Sequence, residues 1–353
     1  MARGRIGLDI GSTAVRAAEL SAGAAPTVIR AAQVPLPAGA VENGEVREPE
    51  AVADALRQLW QQGGFKSRQV YLGVGNQRVV VREIALPYLP EKELRQSLGF
   101  QVQEFIPMSV DEAVLDYDPI GEFEQDDRRM LRMLLVAAQR AMVDQIVSAV
   151  SAAKLEPLGL DLVPFALVRA VGTPDVTLDL EEAGEEAVID VGSHVTNIVV
   201  HARGTTRFVR ILPSGGRDIT VAIARAAGIE DEAAERLKRG LELEDESEGP
   251  APEDVRDVAM QRAGSFVDEI RSSLEFYTAQ TRDARIGRVL ITGGGSRLEG
   301  LLELMRQRIP VPVDVGRVFE HVPSQLALSE AATAEAEPVL AIAVGLAIEG
   351  RES

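Results

Sequence analysis

Cysteine is absent from this 353-residue chain, which excludes disulfide bonds and thiol nucleophiles and fits a reducing compartment. No run of about 18 apolar residues occurs, so the sequence predicts no helix that crosses a membrane. The first residues lead directly into Ile6–Ile10 without an apolar stretch long enough for a signal peptide. We therefore expect a cytoplasmic protein.

Basic residues are in the minority, with 37 Lys and Arg against 55 Asp and Glu and a formal charge of -18. Such a surface repels phosphate backbones and anionic lipids, so we expect no nucleic-acid binding and no direct membrane insertion. Any membrane association should go through a protein partner. The 46% apolar and 26% charged content is that of an ordinary globular protein, and the length predicts two or more domains.

An internal repeat is the most informative pattern. Residues 6–13 read Ile-Gly-Leu-Asp-Ile-Gly-Ser-Thr, and residues 187–194 read Ala-Val-Ile-Asp-Val-Gly-Ser-His. A second apolar run follows each copy, so both predict a strand, a glycine turn and a strand. Two unrelated hairpins are the alternative interpretation. Because each copy opens one half of the chain, duplication is the better account.

Helical and strand patterns alternate around these hairpins, which indicates α/β layers. The stretch 79–160 predicts a strand-helix-strand-helix insertion into the first half. In the second half, the acidic stretch 242–254 predicts a solvated loop, and 329–337 stays open between helix and linker. Predicted helices are 50–62, 91–105, 141–153, 218–227, 232–239, 255–281 and 338–348, and predicted strands include 70–74, 79–86, 130–138 and 288–292.

The duplicated turns have the chemistry of an anion site. Gly11 and Gly192 can adopt positive φ, and the N–H groups that follow them converge on a phosphate-sized point. Ser12, Thr13 and Ser193 add hydroxyl donors. The aspartates before the turns, Asp9 and Asp190, are suited to hold Mg²⁺ directly or through water. In one isolated hairpin such an aspartate often accepts local backbone bonds, but the pair favours the phosphate interpretation.

A third segment, Ile291–Leu298, predicts a strand, a turn of three glycines and a helix starting near Glu299. A single glycine run is a weak signal. Its position after the two Asp-Gly-Ser hairpins gives it value, because bare glycines let a flat adenine or ribose ring approach the backbone.

These three segments resemble the phosphate 1, phosphate 2 and adenosine motifs of the actin-like ATPase superfamily, over essentially the whole chain. Further segments resemble the PilM family of type IV pilus assembly proteins. They are Ile84–Pro87, Gln101–Val110 (QVQEFIPMSV), Leu115–Tyr117, Leu160–Ala166 and Arg271–Tyr277 (RSSLEFY).

The resemblance implies duplicated α/β lobes of the actin/sugar-kinase/heat-shock type (ribonuclease H-like), with an inserted subdomain in each. The implied boundaries are 1–78, 161–186 and 338–353 for the first core, 79–160 for its insertion, 187–217 and 286–337 for the second core, and 218–285 for its insertion. ATP and Mg²⁺ are the implied ligands. The implied nucleotide-site residues are Asp9, Gly11, Ser12, Thr13, Asp190, Gly192, Ser193, Thr196, Gly215, Gly216, Glu235, Lys238, Gly293, Gly294, Gly295 and Arg297, with Asp9 and Asp190 at the metal.

Three of the side chains have simpler alternatives. Glu235 and Lys238 alone would be an i,i+3 surface ion pair. Glu104 is a candidate to orient an attacking water, although a surface carboxylate is the commoner outcome. We expect His194 to point to solvent or to make a weak contact.

The implied function is that of a scaffold whose partner affinity depends on bound nucleotide. Its partner would be the cytoplasmic N-terminal peptide of a PilN-type inner-membrane protein, docked beside the 79–160 insertion. Slow ATP hydrolysis at most is expected, and homo-oligomers are possible. The alternatives are a small-molecule kinase, for which no sugar-binding segment is found, and an FtsA-like cell-division protein. The short ending Ile348–Ser353 lacks the basic amphipathic helix expected of FtsA.

Overall fold

Two five-stranded sheets carry the fold, in a computed structural model that describes residues 4–173, 184–240, 252–281 and 284–350. The strands are β1 (Arg5–Ile10), β2 (Ala14–Leu20), β3 (Val28–Pro35), β4 (Val41–Glu42), β5 (Glu45–Val46), β6 (Gln69–Val74), β7 (Val79–Pro87), β8 (Ala113–Gln125), β9 (Arg128–Gln139), β10 (Glu156–Leu162), β11 (Glu185–Val191), β12 (Thr196–Ala202), β13 (Thr205–Leu212), β14 (Ile286–Thr292) and β15 (Val313–Val315). The helices are α1 (Pro49–Gly63), α2 (Glu91–Val102), α3 (Arg140–Ala152), α4 (Val163–Val171), α5 (Gly216–Ala227), α6 (Asp231–Lys238), α7 (Pro252–Gln280), α8 (Leu301–Arg308), α9 (Val318–His321) and α10 (Glu330–Ala347).

The two sheets have the same topology. The first runs β10-β6-β1-β2-β3 and the second β15-β14-β11-β12-β13. In each, the opening hairpin and the third strand are antiparallel, and two later strands add in parallel on the other side. We call the parts built on these sheets the first and second lobes. The repeated topology confirms the two predicted hairpins.

Helices α4 and α10 pack between the two sheets. Their side chains share one apolar cluster with Ala18 and Leu20 of the first sheet and Val188 and Val199 of the second. The packing is close, because a Cβ atom added to Gly7 of β1 would lie 2.0 Å from a carbonyl oxygen of α10. These two helices therefore link the lobes.

Helix α10 resolves the segment that the sequence left open. Ser329 caps it by accepting a hydrogen bond from the Ala332 N–H at 3.2 Å, and the helix continues through Pro338. The Pro338 carbonyl accepts bonds from the Gly293 N–H (3.0 Å) and the Thr292 hydroxyl (3.2 Å). These bonds join α10 to the start of the triple-glycine turn.

The first-lobe insertion is a three-stranded antiparallel sheet, ordered β7-β9-β8, covered by α2. The expected strand-helix-strand-helix order is wrong, because it omits β8. Charged and polar residues fill much of β8, and its exposed positions conceal the strand pattern in the sequence. Asp126 and Asp127, both at positive φ, form the tight turn to β9.

Two predictions at the ends of helices need adjustment. Helix α2 ends at Val102, and a short 3-10 helix, Gln103–Phe105, replaces its predicted last turn. Helix α7 begins at Pro252, so the end of the acidic stretch is helical, whereas residues 242–251 lie outside the described residues. In the described parts of the chain, no helix is both long and apolar enough to cross a membrane.

Candidate functional site

The turns of the two opening hairpins have the same hydrogen bond. The Gly11 N–H donates to the Ala14 carbonyl at 3.1 Å, and the Gly192 N–H donates to the Val195 carbonyl at 3.0 Å. The strands on either side pair in equivalent register, with Asp9 opposite Arg16 and Asp190 opposite Asn197. The duplication therefore extends to the local backbone of the turn.

The expectation of positive φ at Gly11 and Gly192 is wrong, since neither residue has it. Close packing is the reason for glycine instead. A Cβ atom at Gly192 would lie 2.6 Å from the Val195 carbonyl oxygen, inside any real contact distance. At Gly11 it would lie 3.2 Å from the Ala14 carbonyl oxygen, a tighter fit than most Cβ contacts but a less severe one.

Both turns line a single cleft between the lobes, with a volume of about 1160 Å³. The first lobe contributes the first turn and residues of β3, β4, β5 and β6. The second lobe contributes the second turn, the start of α5, the end of α6 and the triple-glycine turn, and α10 adds residues from the side that links the lobes. Predicted residues that line the cleft are Asp9, Gly11, Ser12, Thr13, Asp190, Gly192, Ser193, Gly215, Gly216, Glu235, Lys238, Gly293, Gly294, Gly295 and Arg297.

Two buried carboxylates stand at the base of the turns, with Asp9 7% and Asp190 4% exposed. Arg16 Nη1 lies 3.3 Å from Asp9 Oδ2, and Asn197 Nδ2 donates to Asp190 Oδ2 at 3.0 Å. Burial raises the pKa of Asp9 although Arg16 opposes the change. Burial, with a contribution from the charge of Asp9, raises the pKa of Asp190 to about 6. A bound cation would stabilise the ionised form of both carboxylates.

The beginning of α5 packs directly on the second turn. The Gly216 N–H donates to the Gly192 carbonyl at 3.0 Å, and the Arg217 N–H donates to the Ser193 carbonyl at 2.8 Å. A Cβ atom at Gly215 would lie 2.5 Å from the Gly192 carbonyl oxygen, so only glycine fits there. The twelve-residue helix thus begins at the cleft, where the positive end of its dipole favours an anion.

The triple-glycine turn closes the second lobe's side of the cleft. Gly293 has a φ of +86°, and a Cβ there would lie 2.6 Å from Asp190 Oδ1. Residues Gly294–Arg297 form a 3-10 helix, and α8 begins at Leu301, slightly later than predicted. Arg297 forms an ion pair with Glu335 of α10. The glycines leave bare backbone at the cleft wall.

Glu235 and Lys238 form an ion pair inside the cleft, at a distance of 2.6 Å. Lys238 Nζ also donates to the Gly216 carbonyl at 3.1 Å and to the Thr220 hydroxyl at 2.9 Å. Burial alone would raise the pKa of Glu235, but the charge and hydrogen bonds of Lys238 and its neighbours hold it below its usual range. Burial lowers the pKa of Lys238. The pair is more than a surface contact.

Two predicted residues are not in the lining that the described residues form. Thr196 is fully buried below the second turn, where its hydroxyl donates to the Ser214 carbonyl at 2.8 Å. Glu104 is exposed on the 3-10 helix of the insertion. The structure does not bring Glu104 together with the other site residues.

Sequence reasoning missed Arg16 and Asn197 and left His194 open between solvent and a weak contact. Arg16 and Asn197 line the cleft opposite the two aspartates, a position that counting outward from each turn could have revealed. His194 is half-buried beside a small cavity of about 270 Å³ that Glu42 and Asn43 also line. Its Nδ1 is buried with no hydrogen-bond partner among the described residues. Of the two expected alternatives, full exposure of His194 to solvent is excluded, and a weak contact with a ligand stays a prediction.

The electrostatics of His194 agree with this burial. Burial lowers its pKa, and the charge of Arg217 adds to the effect. Both effects favour the neutral form of the ring. A neutral imidazole with a free Nδ1 or Nε2 acceptor suits a contact with water or a hydroxyl group more than one with an anion.

Comparison with known proteins gives consistent likenesses. The family model described as Type IV pilus assembly protein PilM matches residues 7–351. A chain of a solved PilM-PilN type IV pilus biogenesis complex is 28% identical, with a TM-score of 0.84, and the match covers 97% of both chains. MreB5 of Spiroplasma citri bound to ADP has a TM-score of 0.54 at 12% identity, covering 98% of this chain and 95% of that one. The latter likeness supports the fold alone.

Curated relatives include the cell division protein FtsA of Rhizobium meliloti (strain 1021), 29% identical over 273 residues. That match covers 68% of this chain and 59% of the relative, so it spans less than two thirds of the relative's length. The predicted α/β fold class and the resemblance to the PilM family are both confirmed.

Proposed function

The chain belongs to the PilM family of type IV pilus assembly proteins. On that premise we propose that its cleft binds ATP with Mg²⁺. We also propose that the bound nucleotide sets the affinity of the chain for a peptide of a PilN-type inner-membrane protein. One observation carries the nucleotide part of this proposal. Two equivalent turns, each preceded by a buried aspartate, line one cleft between two lobes.

The residues of the cleft fit such a ligand. Gly192 and Gly215 leave bare backbone where a Cβ atom would clash, and α5 begins beside them. Phosphates would bind at the two turns, and the nucleoside would lie between the triple-glycine turn and Lys238. Asp9 and Asp190 would hold Mg²⁺, which supplies the positive charge that polyphosphate requires.

We propose that ATP hydrolysis is slow at most. The carboxylates in the lining of the main cleft already have partners among the described residues: Asp9 with Arg16, Asp190 with Asn197, Glu235 with Lys238, and Glu335 with Arg297. A carboxylate that activates water must be free to accept its proton. The nucleotide would thus act as a conformational ligand.

Calorimetric titration of the full chain with ATP and ADP, each with Mg²⁺ and with EDTA, tests the nucleotide proposal. We expect binding that depends on Mg²⁺ and turnover far slower than the lifetime of the complex. Absence of heat and of thermal stabilisation with both nucleotides would overturn it, and rapid steady-state turnover would overturn the claim about hydrolysis.

The partner proposal concerns the first-lobe insertion. Strands β7 and β8 form the edges of its sheet, where an extended peptide would add as a further strand. Phe100 on α2 is 88% exposed, the highest value for a large apolar side chain in the described ranges. A protein recruited in this way would act at the inner face of the cytoplasmic membrane. Because this chain is strongly acidic, contacts between apolar side chains suit the binding of a partner peptide, since they do not depend on the charge of the peptide.

Fluorescence anisotropy with a labelled peptide from the cytoplasmic N-terminus of the PilN-type protein tests the partner proposal. We expect binding that changes between the ATP-loaded and nucleotide-free protein. Phe100→Ser should weaken it, whereas Phe276→Ser, which removes a 46% exposed ring from the second lobe, should not. The FtsA relatives make a cell-division role the second candidate, and normal nucleotide binding without any peptide binding would favour it.

A further inference from the structure

The two duplicated hairpins differ in the side chain that lies opposite the buried aspartate. Across β1 and β2 the partner of Asp9 is Arg16, and across β11 and β12 the partner of Asp190 is Asn197. Arginine brings a full positive charge that is present at every physiological pH, whereas asparagine brings only a neutral hydrogen-bond donor. A positive charge therefore lies opposite the aspartate in the first lobe only.

Arg16, on β2, is held in place by the two strands on either side of it. Its Nη1 lies 3.3 Å from Asp9 Oδ2 on β1, and its Nε donates to Gln33 Oε1 on β3 at 3.0 Å. The side chain is only 14% exposed. A Cβ atom at Gly11 would lie 3.0 Å from Nη1, so the guanidinium group also lies against the first turn. It is a fixed part of the cleft.

The positive charge of Arg16 acts on both carboxylates. Burial raises the pKa of Asp9 and of Asp190, and in each case the charge of Arg16 works in the opposite direction. Asp9 and Asp190 also repel each other, which adds to the raised pKa of Asp190. The geometry agrees: Arg16 contacts Asp9 directly, and Asp190, whose hydrogen-bond partner is the neutral Asn197, lines the same cleft as Arg16.

We propose that Arg16 is the internal counter-cation of the cleft, which supplies to Asp9 and Asp190 the positive charge that Mg²⁺ supplies once nucleotide is bound. A divalent cation that arrives alone must displace this guanidinium group, so it binds weakly. A phosphate at the first turn offers Arg16 a better, bidentate partner and thereby releases Asp9. This second step rests on the proposed nucleotide function.

The consequence is reciprocal coupling between the cation and the nucleotide. Each ligand strengthens binding of the other, because each removes the obstacle that Arg16 presents to the other. Removal of the arginine should convert the site into a cation site that no longer needs nucleotide, because two buried carboxylates without a positively charged partner are strong ligands for a divalent cation.

The test uses the full chain and Mn²⁺ as the probe, with free Mn²⁺ followed by electron paramagnetic resonance. Without nucleotide, Arg16→Gln should bind Mn²⁺ at least about tenfold more tightly than wild type. Arg16→Lys retains the charge and should stay near wild type. Arg30→Gln is the matched control, because Arg30 pairs with Glu19 in the same sheet at 2.8 Å and does not line the cleft.

A second measurement is the ADP affinity with and without Mn²⁺. Mn²⁺ should strongly increase the ADP affinity of wild type. The factor of increase should be at least about threefold smaller for Arg16→Gln. Equal Mn²⁺ affinities of wild type and Arg16→Gln would overturn the proposal, as would equal coupling.

Two further outcomes are decided by the same design. If Arg16→Gln does not fold alone, Mn²⁺ must restore its circular dichroism spectrum, and failure to do so would also overturn the counter-cation role. If wild type binds no nucleotide, the proposed function fails, while the nucleotide-free Mn²⁺ comparison still tests Arg16.

Discussion

The two lobes are alike in backbone and different in what they offer a ligand. Both have the same strand order and the same turn hydrogen bond. The second lobe alone adds the start of α5, the Glu235–Lys238 pair and the triple-glycine turn to the cleft. The repeated turns, together with the start of α5, are therefore suited to bind phosphate. The Glu235–Lys238 pair and the triple-glycine turn are suited to select the rest of the ligand.

The lobes also differ in whether a positive charge lies opposite the aspartate. We therefore expect ionised Asp190 to destabilise the unliganded protein more than ionised Asp9 does. Asp190 has its pKa raised from 3.8 to about 6, so its ionised form costs the folded state roughly 3 kcal/mol at neutral pH. Asp190→Asn should recover about this amount and can keep the bond from Asn197. Asp9→Asn should gain less, because it removes the partner of Arg16.

The pH dependence gives the sign of this effect. A carboxyl whose folded-state pKa is raised destabilises the fold above that pKa, and the penalty disappears as pH falls from about 6 to about 4. Urea denaturation without divalent cations should show the full advantage of Asp190→Asn at pH 7.5 and almost none at pH 4. An advantage independent of pH, or a larger one for Asp9→Asn, would contradict the asymmetry.

In the liganded protein the same aspartates should become equivalent. Asp9→Asn and Asp190→Asn should each lower the affinity for ATP with Mg²⁺ by about 100-fold, because each removes a charged oxygen ligand. In EDTA the variants should bind ATP no more weakly than wild type. Titration calorimetry under both conditions measures this, with Glu104→Gln as an unaffected control. A loss that persists in EDTA would show that the aspartates act on the nucleotide and not on the metal.

The sequence predicted the repeated part of the fold well, for physical reasons. A buried strand next to a glycine turn needs apolar β-branched residues and then Gly-Ser, so the hairpins at Asp9 and Asp190 are visible in the residues themselves. Strand β8 was missed because its exposed, charged positions carry little apolar periodicity.

Site residues that act through tertiary structure were harder to predict. Counting outward from the turn places Arg16 opposite Asp9, but the orientation of its side chain also depends on Gln33 of a third strand, which the local sequence does not indicate. Glu104 was chosen from its sequence neighbours, but it lies on the exposed insertion. The positions of the glycine turns were predicted correctly, but the expected reason for glycine, a positive φ, was wrong. At Gly192 it is backbone packing, which only the folded chain creates, that excludes a side chain.

The turn glycines provide a further way to compare the lobes. Gly192→Ala should destabilise the protein by about 2 kcal/mol, because the new Cβ would lie 2.6 Å from a backbone oxygen and the backbone must shift. Gly11→Ala should cost less than about 1 kcal/mol, since its contacts are longer and one is to the arginine side chain. Urea denaturation of both variants measures the difference, and equal losses would mean that the turns are equally tight.

The smallest expected effect concerns the part of the cleft that the first lobe does not duplicate. Glu235→Gln leaves the half-buried Lys238 without its charged partner and should weaken ATP and ADP binding about fivefold. Pyrophosphate with Mg²⁺ should bind to this variant as it does to wild type, because the pair lies at the proposed nucleoside end.

Glu232→Gln is the matched control, an exposed carboxylate on the same helix that does not line the cleft. Competition titration with a fluorescent ADP analogue can compare the three ligands. An equal loss for pyrophosphate would move Glu235 and Lys238 to the phosphate end and remove the division of roles between repeated and unrepeated parts. A loss confined to the two nucleotides would assign recognition of the base or ribose to the Glu235–Lys238 pair.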